Sequence, residues 1–323
     1  MTQLSDIQTT IAPELRALNE RISSRLHTSN ALMNSVIENY LKVKGKQIRP
    51  ILVMLSARLL GSVNERTLAS ASAVELLHNA SLIHDDVVDD TRTRRGVATI
   101  NGIWDNHIAV LVGDYFVSMA LQEAIATGDP RAVASIANLG KLLSLGEVDQ
   151  IYNARFHQLS EEAYFGVINR KTASLFVACV EMGAYAVDAD AESLRHLSRF
   201  AELLGLCFQI KDDIFDYFDD ALIGKPTGND LREGKITLPL LHVLLNEPDE
   251  SAPMVQLSRK EQLNDDEILQ LIDYAKAGGG IEYAYERMEQ LYREAVPELE
   301  YFPAGPSRDA FDTLFRYVIS RNK

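Results

Sequence analysis

Two cysteines in 323 residues are too few for a disulfide framework. Both, Cys179 and Cys207, lie in apolar runs with helical spacing, which points to a reducing, cytoplasmic setting. Cations are also short: 32 Lys and Arg stand against 46 Asp and Glu, a formal net charge of −14. A broadly negative field repels nucleic acid and anionic membranes alike, so neither is expected as a partner, and any phosphate site must be a local basic cluster. Long apolar runs are missing as well. The most apolar stretch, residues 173–187, is interrupted by Glu181 and is too short to span a bilayer, so no transmembrane segment is expected. The opening residues, MTQLSDIQTTIAPELRAL, lack the basic start and apolar centre of a secretory signal. No linker rich in Pro, Gly or Ser and no shift of composition marks a boundary, so residues 1–323 read as a single domain. No repeat of fixed period supports a solenoid.

What the chain does have is helical periodicity. Apolar residues recur three and four apart, as in Leu15, Leu18, Ile22 and Leu26, or Leu194, Leu197, Phe200, Leu203 and Leu204, while strand-like alternation is scarce. Breaks are expected at 45–50, 61, 96–102, 128–130, 224–234 and 278–280, where Gly and Pro gather. The expected fold class is all-α, a bundle of many helices.

Within this pattern AVELLHNASLIHDDVVDDTRTRRG runs as an apolar helix into Asp85, Asp86, Asp89 and Asp90. Asp85 and Asp89 are four apart, so they share a face, repel each other and oppose the helix dipole at its carboxyl end; each effect costs some tenths of a kcal/mol. Something positive should offset this. A second cluster, in AELLGLCFQIKDDIFDYFDD, repeats the arrangement with Asp212, Asp213 and Asp216, and Gln209 precedes it by nearly a turn. Either cluster alone reads as a solvated acidic helix end. Two matching clusters inside apolar helices point instead to Mg²⁺, which takes one or two protein carboxylates and completes its shell with water and phosphate oxygens. Helices carrying them could face each other across a diphosphate.

Basic residues sufficient for two diphosphates stand out from the acidic background: Lys46 and Arg49 in GKQIRP, Arg94 and Arg95 in TRTRRG, Lys171 in NRKTA, and Lys225 and Lys235 in GKPTGNDLREGKITLP. Lys46 and Arg49, beside Gly45 and Pro50, could point from one helix start towards a single anion. Any one of these cations alone reads as a solvated surface charge.

Taken in order, GKQIRP, ELLHNASLIHDDVVDD with RRG, VGD at 112–114, GE with Gln150, RKT, FQIKDDIFD and GKPTGNDLREGKITLP resemble the trans-isoprenyl diphosphate synthases, over about residues 45–239. The resemblance implies a helical bundle of the isoprenoid synthase type around a central active-site cavity, and a homodimer. It also implies head-to-tail condensation of isopentenyl diphosphate with an allylic diphosphate: dimethylallyl, geranyl, farnesyl or geranylgeranyl. Asp85, Asp86, Asp89 and Asp212 would bind Mg²⁺ directly, three ions in all. Asp213 and Asp216 would complete the second motif directly or through water. Arg94, Lys171, Lys225 and Lys235 would hold the allylic diphosphate; Lys46, Arg49, His78 and Arg95 would hold that of isopentenyl diphosphate, with Phe208 and Gln209 along its hydrocarbon end. A lone His on an apolar helix is usually a core residue, and only its place seven before Asp85 makes His78 a ligand. Ionisation would leave an allylic cation steadied by the oxygens of Thr172 and Gln209, and the released diphosphate would take up the proton.

Ala80 and Ser81 lie about one turn, 5.4 Å, before the first aspartates, and both are small. Aromatics there would set a shallow floor, as in farnesyl-type members, so a longer polyprenyl product such as octaprenyl is expected. Tyr115, Phe116 and Met119 stand as a deeper floor. Farnesyl or geranylgeranyl synthesis, a class I terpene cyclase and a non-catalytic subunit of a heteromeric synthase are the alternatives. The last two fit less well, because GKQIRP and both aspartate motifs are intact. No chemistry attaches to the region after Asn246, including its basic end RYVISRNK.

Overall fold

The computed structural model describes residues 4–42, 45–94, 96–218 and 227–321. Two of the basic residues singled out above, Arg95 and Lys225, lie outside the described residues.

The described chain is helical almost throughout. Its first elements are α1 (Leu4–Thr10), α2 (Ala12–Leu26), α3 (Ala31–Leu41), α4 (Ile48–Leu60), α5 (Glu65–Val88), a hairpin of β1 (Thr93–Arg94) and β2 (Val97–Ala98), α6 (Ile100–Ile103) and α7 (Asn106–Ala126). Next come α8 (Pro130–Arg155), α9 (Glu161–Ile168), a π-helical turn (Asn169–Ala173), α10 (Ser174–Tyr185) and α11 (Ala191–Phe215). The chain continues through α12 (Asn229–Arg232), α13 (Leu238–Leu245), α14 (Pro253–Ser258), α15 (Asp265–Ala277), α16 (Gly280–Glu300) and α17 (Pro306–Ser320). The breaks predicted from Gly and Pro are found, but others fall outside them, at 27–30, 246–252, 259–264 and 301–305. Two more lie at 156–160 and 186–190. There His157 (φ 48°) and Asp188 (φ 53°) take the left-handed conformation that usually marks glycine, so composition gives no warning.

Starts are set by side chains that accept the otherwise unpaired N–H groups. Asn64 caps α5 by accepting from the Thr67 N–H while the Thr67 hydroxyl accepts from the Asn64 N–H, and Asn264 and Glu267 cap α15 in the same way. Asp105 caps α7 and Ser160 caps α9.

Two compact units divide the chain: Met1–Lys141, Leu175–Ala201 and Glu298–Leu314 form one; Leu142–Ser174, Glu202–Pro297 and Phe315–Lys323 form the other. In the first, α5 is central and packs along α7, with α2 and α4 also against it. Its Ala69, Ala71, Ala73, Val74 and Leu76 are essentially inaccessible. Glycine permits close approach where α10 meets α4: a Cβ on Gly183 would lie 2.5 Å from the Val53 carbonyl oxygen. Among the described residues one helix, α7, is long and apolar enough to cross a membrane by length and composition. Its Glu123, though, is buried in an ion pair with Arg25 at 2.8 Å and with Arg21. In the second unit α13 packs on α15 and α9, and α9 on the π-turn that follows it.

Because Asn64 caps α5 and also donates to the Ala186 carbonyl at 3.0 Å, Asn64→Ala should destabilise the fold by about 1–2 kcal/mol in denaturant unfolding.

Candidate active site

In the first unit the acidic end of α5 finds its counter-charge in the hairpin just beyond it. β1 pairs antiparallel with β2 and carries Arg94 back to Asp86, whose Oδ1 accepts from the guanidinium at 2.7 and 2.8 Å. Burial pushes the Asp86 carboxyl up, and the Arg94 hydrogen bond pulls against it. The Asp86 carbonyl accepts from the Thr91 N–H and the Asn101 amide, both at 2.9 Å, so the turn after the helix is tied down. Asp89 closes the helix, its N–H bonded to the Asp85 carbonyl at 2.8 Å. Asp85 and Asp89 are half-buried on that last turn. His84, just before them, lies 3.3 Å from the Val110 carbonyl, and a Cβ on Gly113 would come within 2.2 Å of its Nε2. Gly113 of VGD is therefore what lets α7 pass the first aspartates.

His78 is buried and Ala80 fully so; Ser81 donates to the His78 carbonyl at 2.9 Å. On α7, Phe116 is inaccessible, Met119 nearly so, and the Tyr115 hydroxyl donates to the Leu26 carbonyl at 3.2 Å. The residues expected to govern product length thus sit on two helices packed along each other. Sequence reasoning missed Tyr40 on α3, which meets Phe116 edge-to-face at 5.7 Å and donates to Asn79 at 2.9 Å. In GKQIRP, Lys46 lies before α4 and is exposed, Gln47 takes a left-handed φ of 54° at the cap, and Arg49 is in the first turn, half-buried.

The second unit assembles its chemistry around the π-turn, a rare geometry that often marks functional sites. Gly146 makes room for it, since a Cβ there would lie 2.9 Å from the Lys171 nitrogen. Lys171 pairs with Glu147 and lies 3.2 Å from the Gln150 Oε1. The next residue, Thr172, donates to the Gln209 Oε1 at 2.6 Å; Gln209 donates to Asp213 at 2.8 Å; the Tyr164 hydroxyl donates to the other oxygen of Asp213 at 2.6 Å. Burial pushes the Asp213 carboxyl up to about 7 against these two hydrogen bonds. Asp216 accepts from the N–H groups of Asn229 and Asp230 at 3.0 and 2.9 Å, so it ties the start of α12 to the second motif. Asp230 is itself half-buried, and desolvation with Asp213 and Asp216 nearby pushes its carboxyl well up. Lys235 pairs with Glu233. Asp212 is bound by Arg321, which donates to its Oδ1 at 2.6 Å and to the Phe208 carbonyl at 3.1 Å, with the guanidinium 4.1 Å from the Phe208 ring centre.

Tyr164, Glu147, Asp230 and Arg321 were not picked out from sequence. Glu147 sits in the GE element and Asp230 in GKPTGNDLREGKITLP, while Arg321 belongs to the basic end RYVISRNK. A lone Tyr on an apolar helix, by contrast, gives no signal.

Among the described residues no three His, Cys, Asp or Glu side chains already converge as a metal site. The donors nevertheless suit Mg²⁺: hard carboxylate oxygens, few per ion, in a family of motifs where phosphate and water complete the shell. Gly146→Ala should displace the π-turn, costing about 1–3 kcal/mol in chemical denaturation and shifting the Lys171 backbone amide in an NMR spectrum.

A polyprenyl synthetase family model matches residues 30–275. The octaprenyl diphosphate synthase of Escherichia coli is 32% identical over 322 residues, 99% of either chain. Among solved structures, a decaprenyl diphosphate synthase from Rhodobacter capsulatus superposes with a TM-score of 0.93 at 32% identity over 99% of both chains. A geranylgeranyl pyrophosphate synthase from Bacteroides thetaiotaomicron reaches 40% identity and a TM-score of 0.84 over 98% of both. A family match across three-quarters of the chain and relatives alike from end to end place this protein in the polyprenyl synthetase family.

Proposed function

We propose that this prenyltransferase condenses isopentenyl diphosphate head-to-tail with an allylic diphosphate and continues to a long polyprenyl diphosphate such as octaprenyl. End-to-end likeness to octaprenyl and decaprenyl diphosphate synthases, with both aspartate motifs intact, carries the reading. Mg²⁺, three ions in this proposal, would be held by Asp85, Asp86, Asp89 and Asp212, with Asp213 and Asp216 completing the second set. Bound there, it would neutralise the leaving diphosphate.

The chain's own groups do the rest. Arg94, Lys171, Lys225 and Lys235 orient the allylic diphosphate so that its C–O bond can ionise. Lys46, Arg49, His78 and Arg95 hold the second diphosphate, and Phe208 and Gln209 border its hydrocarbon end. Thr172 and Gln209 offer oxygen lone pairs to the allylic cation, and the apolar helix faces keep out water that would hydrolyse it. The departing diphosphate accepts the final proton, so no side chain is needed as base.

The small Ala80 and Ser81 would leave room in the first turn below the aspartates, and Phe116 and Met119, buried on the neighbouring helix, would form a deeper floor. Geranylgeranyl synthesis is the second reading, favoured by the 40% identity to a synthase of that product. We place the enzyme in a reducing cytoplasm, consistent with two buried free thiols. We also assign it a homodimer, because apolar side chains stay exposed on α7 (Leu111, Ile125) and, in the other unit, on α8 (Leu145, Val148, Tyr152) and just past it at Phe156.

Incubation with labelled isopentenyl diphosphate, farnesyl diphosphate and Mg²⁺ should give a ladder beyond geranylgeranyl length; a stop there would establish the second reading. Asp85→Ala or chelation should lower turnover on the order of a thousandfold. In the same assay Ala80→Phe should shorten the product towards farnesyl length, and an unchanged ladder would remove Ala80 from the tunnel.

A further inference from the structure

The four residues Thr172, Gln209, Asp213 and Tyr164 form one continuous chain of three hydrogen bonds of 2.6–2.8 Å. Three of the four are buried: Tyr164, Thr172 and Asp213. Each comes from a fixed piece of backbone. Gln209 and Asp213 are four apart on α11 and so share a face, Thr172 is in the π-turn, and Tyr164 is on α9 immediately before it.

The chemistry of the chain is directional. A carboxylate only accepts, and both oxygens of Asp213 do so, one from the Tyr164 hydroxyl and one from the Gln209 NH₂. An amide with its NH₂ on the carboxylate has only its carbonyl left for Thr172. The Thr172 hydroxyl carries a single hydrogen and gives it to that carbonyl, which leaves its oxygen with lone pairs and no hydrogen to direct elsewhere. Turning the amide over would set its oxygen against a carboxylate oxygen and lose a buried hydrogen bond. Within the reaction proposed above, a cation is stabilised by a lone pair and repelled by an O–H hydrogen.

We propose that Tyr164 and Asp213 are positioning residues that fix which way round the Gln209 amide sits, and so turn the lone pairs of Thr172, rather than its hydrogen, towards the allylic cation. This rests on the reading that Thr172 and Gln209 face that cation. Asp213 gains a second role beside its place in the aspartate motif, and Tyr164 enters the reaction without touching a substrate.

Exchange of the two partners tests the polarity. In the double variant Asp213→Asn with Gln209→Glu, the amide at 213 accepts from Tyr164 and donates to the carboxylate at 209, which still accepts from Thr172. Direction is preserved at Thr172 and at Tyr164 and is reversed only between positions 209 and 213. In the single variant Gln209→Glu two carboxylates meet, and in Asp213→Asn two amides can settle either way round. Each single change should lower kcat about a hundredfold, and the double, although it still lacks the Asp213 carboxylate, should recover about tenfold over the poorer single variant. Tyr164→Phe should lower kcat about tenfold at unchanged KM.

A double variant no better than the poorer single one would overturn the proposal and leave Asp213 acting only through metal. Full kcat in Tyr164→Phe would remove Tyr164 from it. Should Gln209→Glu fail to fold by circular dichroism, the comparison of Asp213→Asn with the double variant decides the matter alone. Failure of the underlying reading is separate and visible first, as a parent protein that makes no elongated product at all.

Discussion

A carboxylate carried into an apolar interior must be answered by donors or by positive charge, or it protonates. Both units are arranged around that requirement. Asp86 sits nearly inaccessible on α5 because the β1–β2 hairpin returns Arg94 to it, and Asp213 sits on α11 because Tyr164 and Gln209 each give it a hydrogen. The hairpin supplies a partner for Asp86 and the start of α12 one for Asp216, while the π-turn reaches Asp213 only through Gln209.

The cations obey the same rule from the other side. Arg94 is paired with Asp86, Lys171 with Glu147, Lys235 with Glu233, and Arg321 with Asp212. A long basic side chain loses about 2 kcal/mol of rotamer entropy when it is ordered, and a carboxylate partner offsets part of that cost within the fold. The scarce positive charge of an acidic protein is thereby held at set places.

Close backbone approach is the second constraint. Gly113 admits α7 beside His84, Gly146 admits α8 beside the Lys171 backbone, and Gly183 seats α10 on the Val53 carbonyl. In each case a methyl group would fall inside contact distance. These glycines lie inside helices, where they cost about 1 kcal/mol relative to alanine, so their presence reflects packing rather than turn geometry.

By itself the sequence determined the fold class, the helix breaks at glycine and proline and the two sets of aspartates, because helical period, glycine and proline breaks and four-residue spacing act over one or two turns. GKQIRP, VGD and RKT were legible through the resemblance that they carry, as short motifs. Tertiary structure alone decided who answers each charge. Asp213 and Tyr164 are 49 residues apart, and Asp212 and Arg321 are 109 apart; no local pattern reports on either pair. The helix breaks at His157 and Asp188 were likewise invisible, since each residue takes a left-handed φ that its side chain disfavours and only its surroundings impose. The π-turn belongs with them: it packs its Lys171 backbone against Gly146 of α8, 23 or more residues away along the chain from the letters NRKTA that form it.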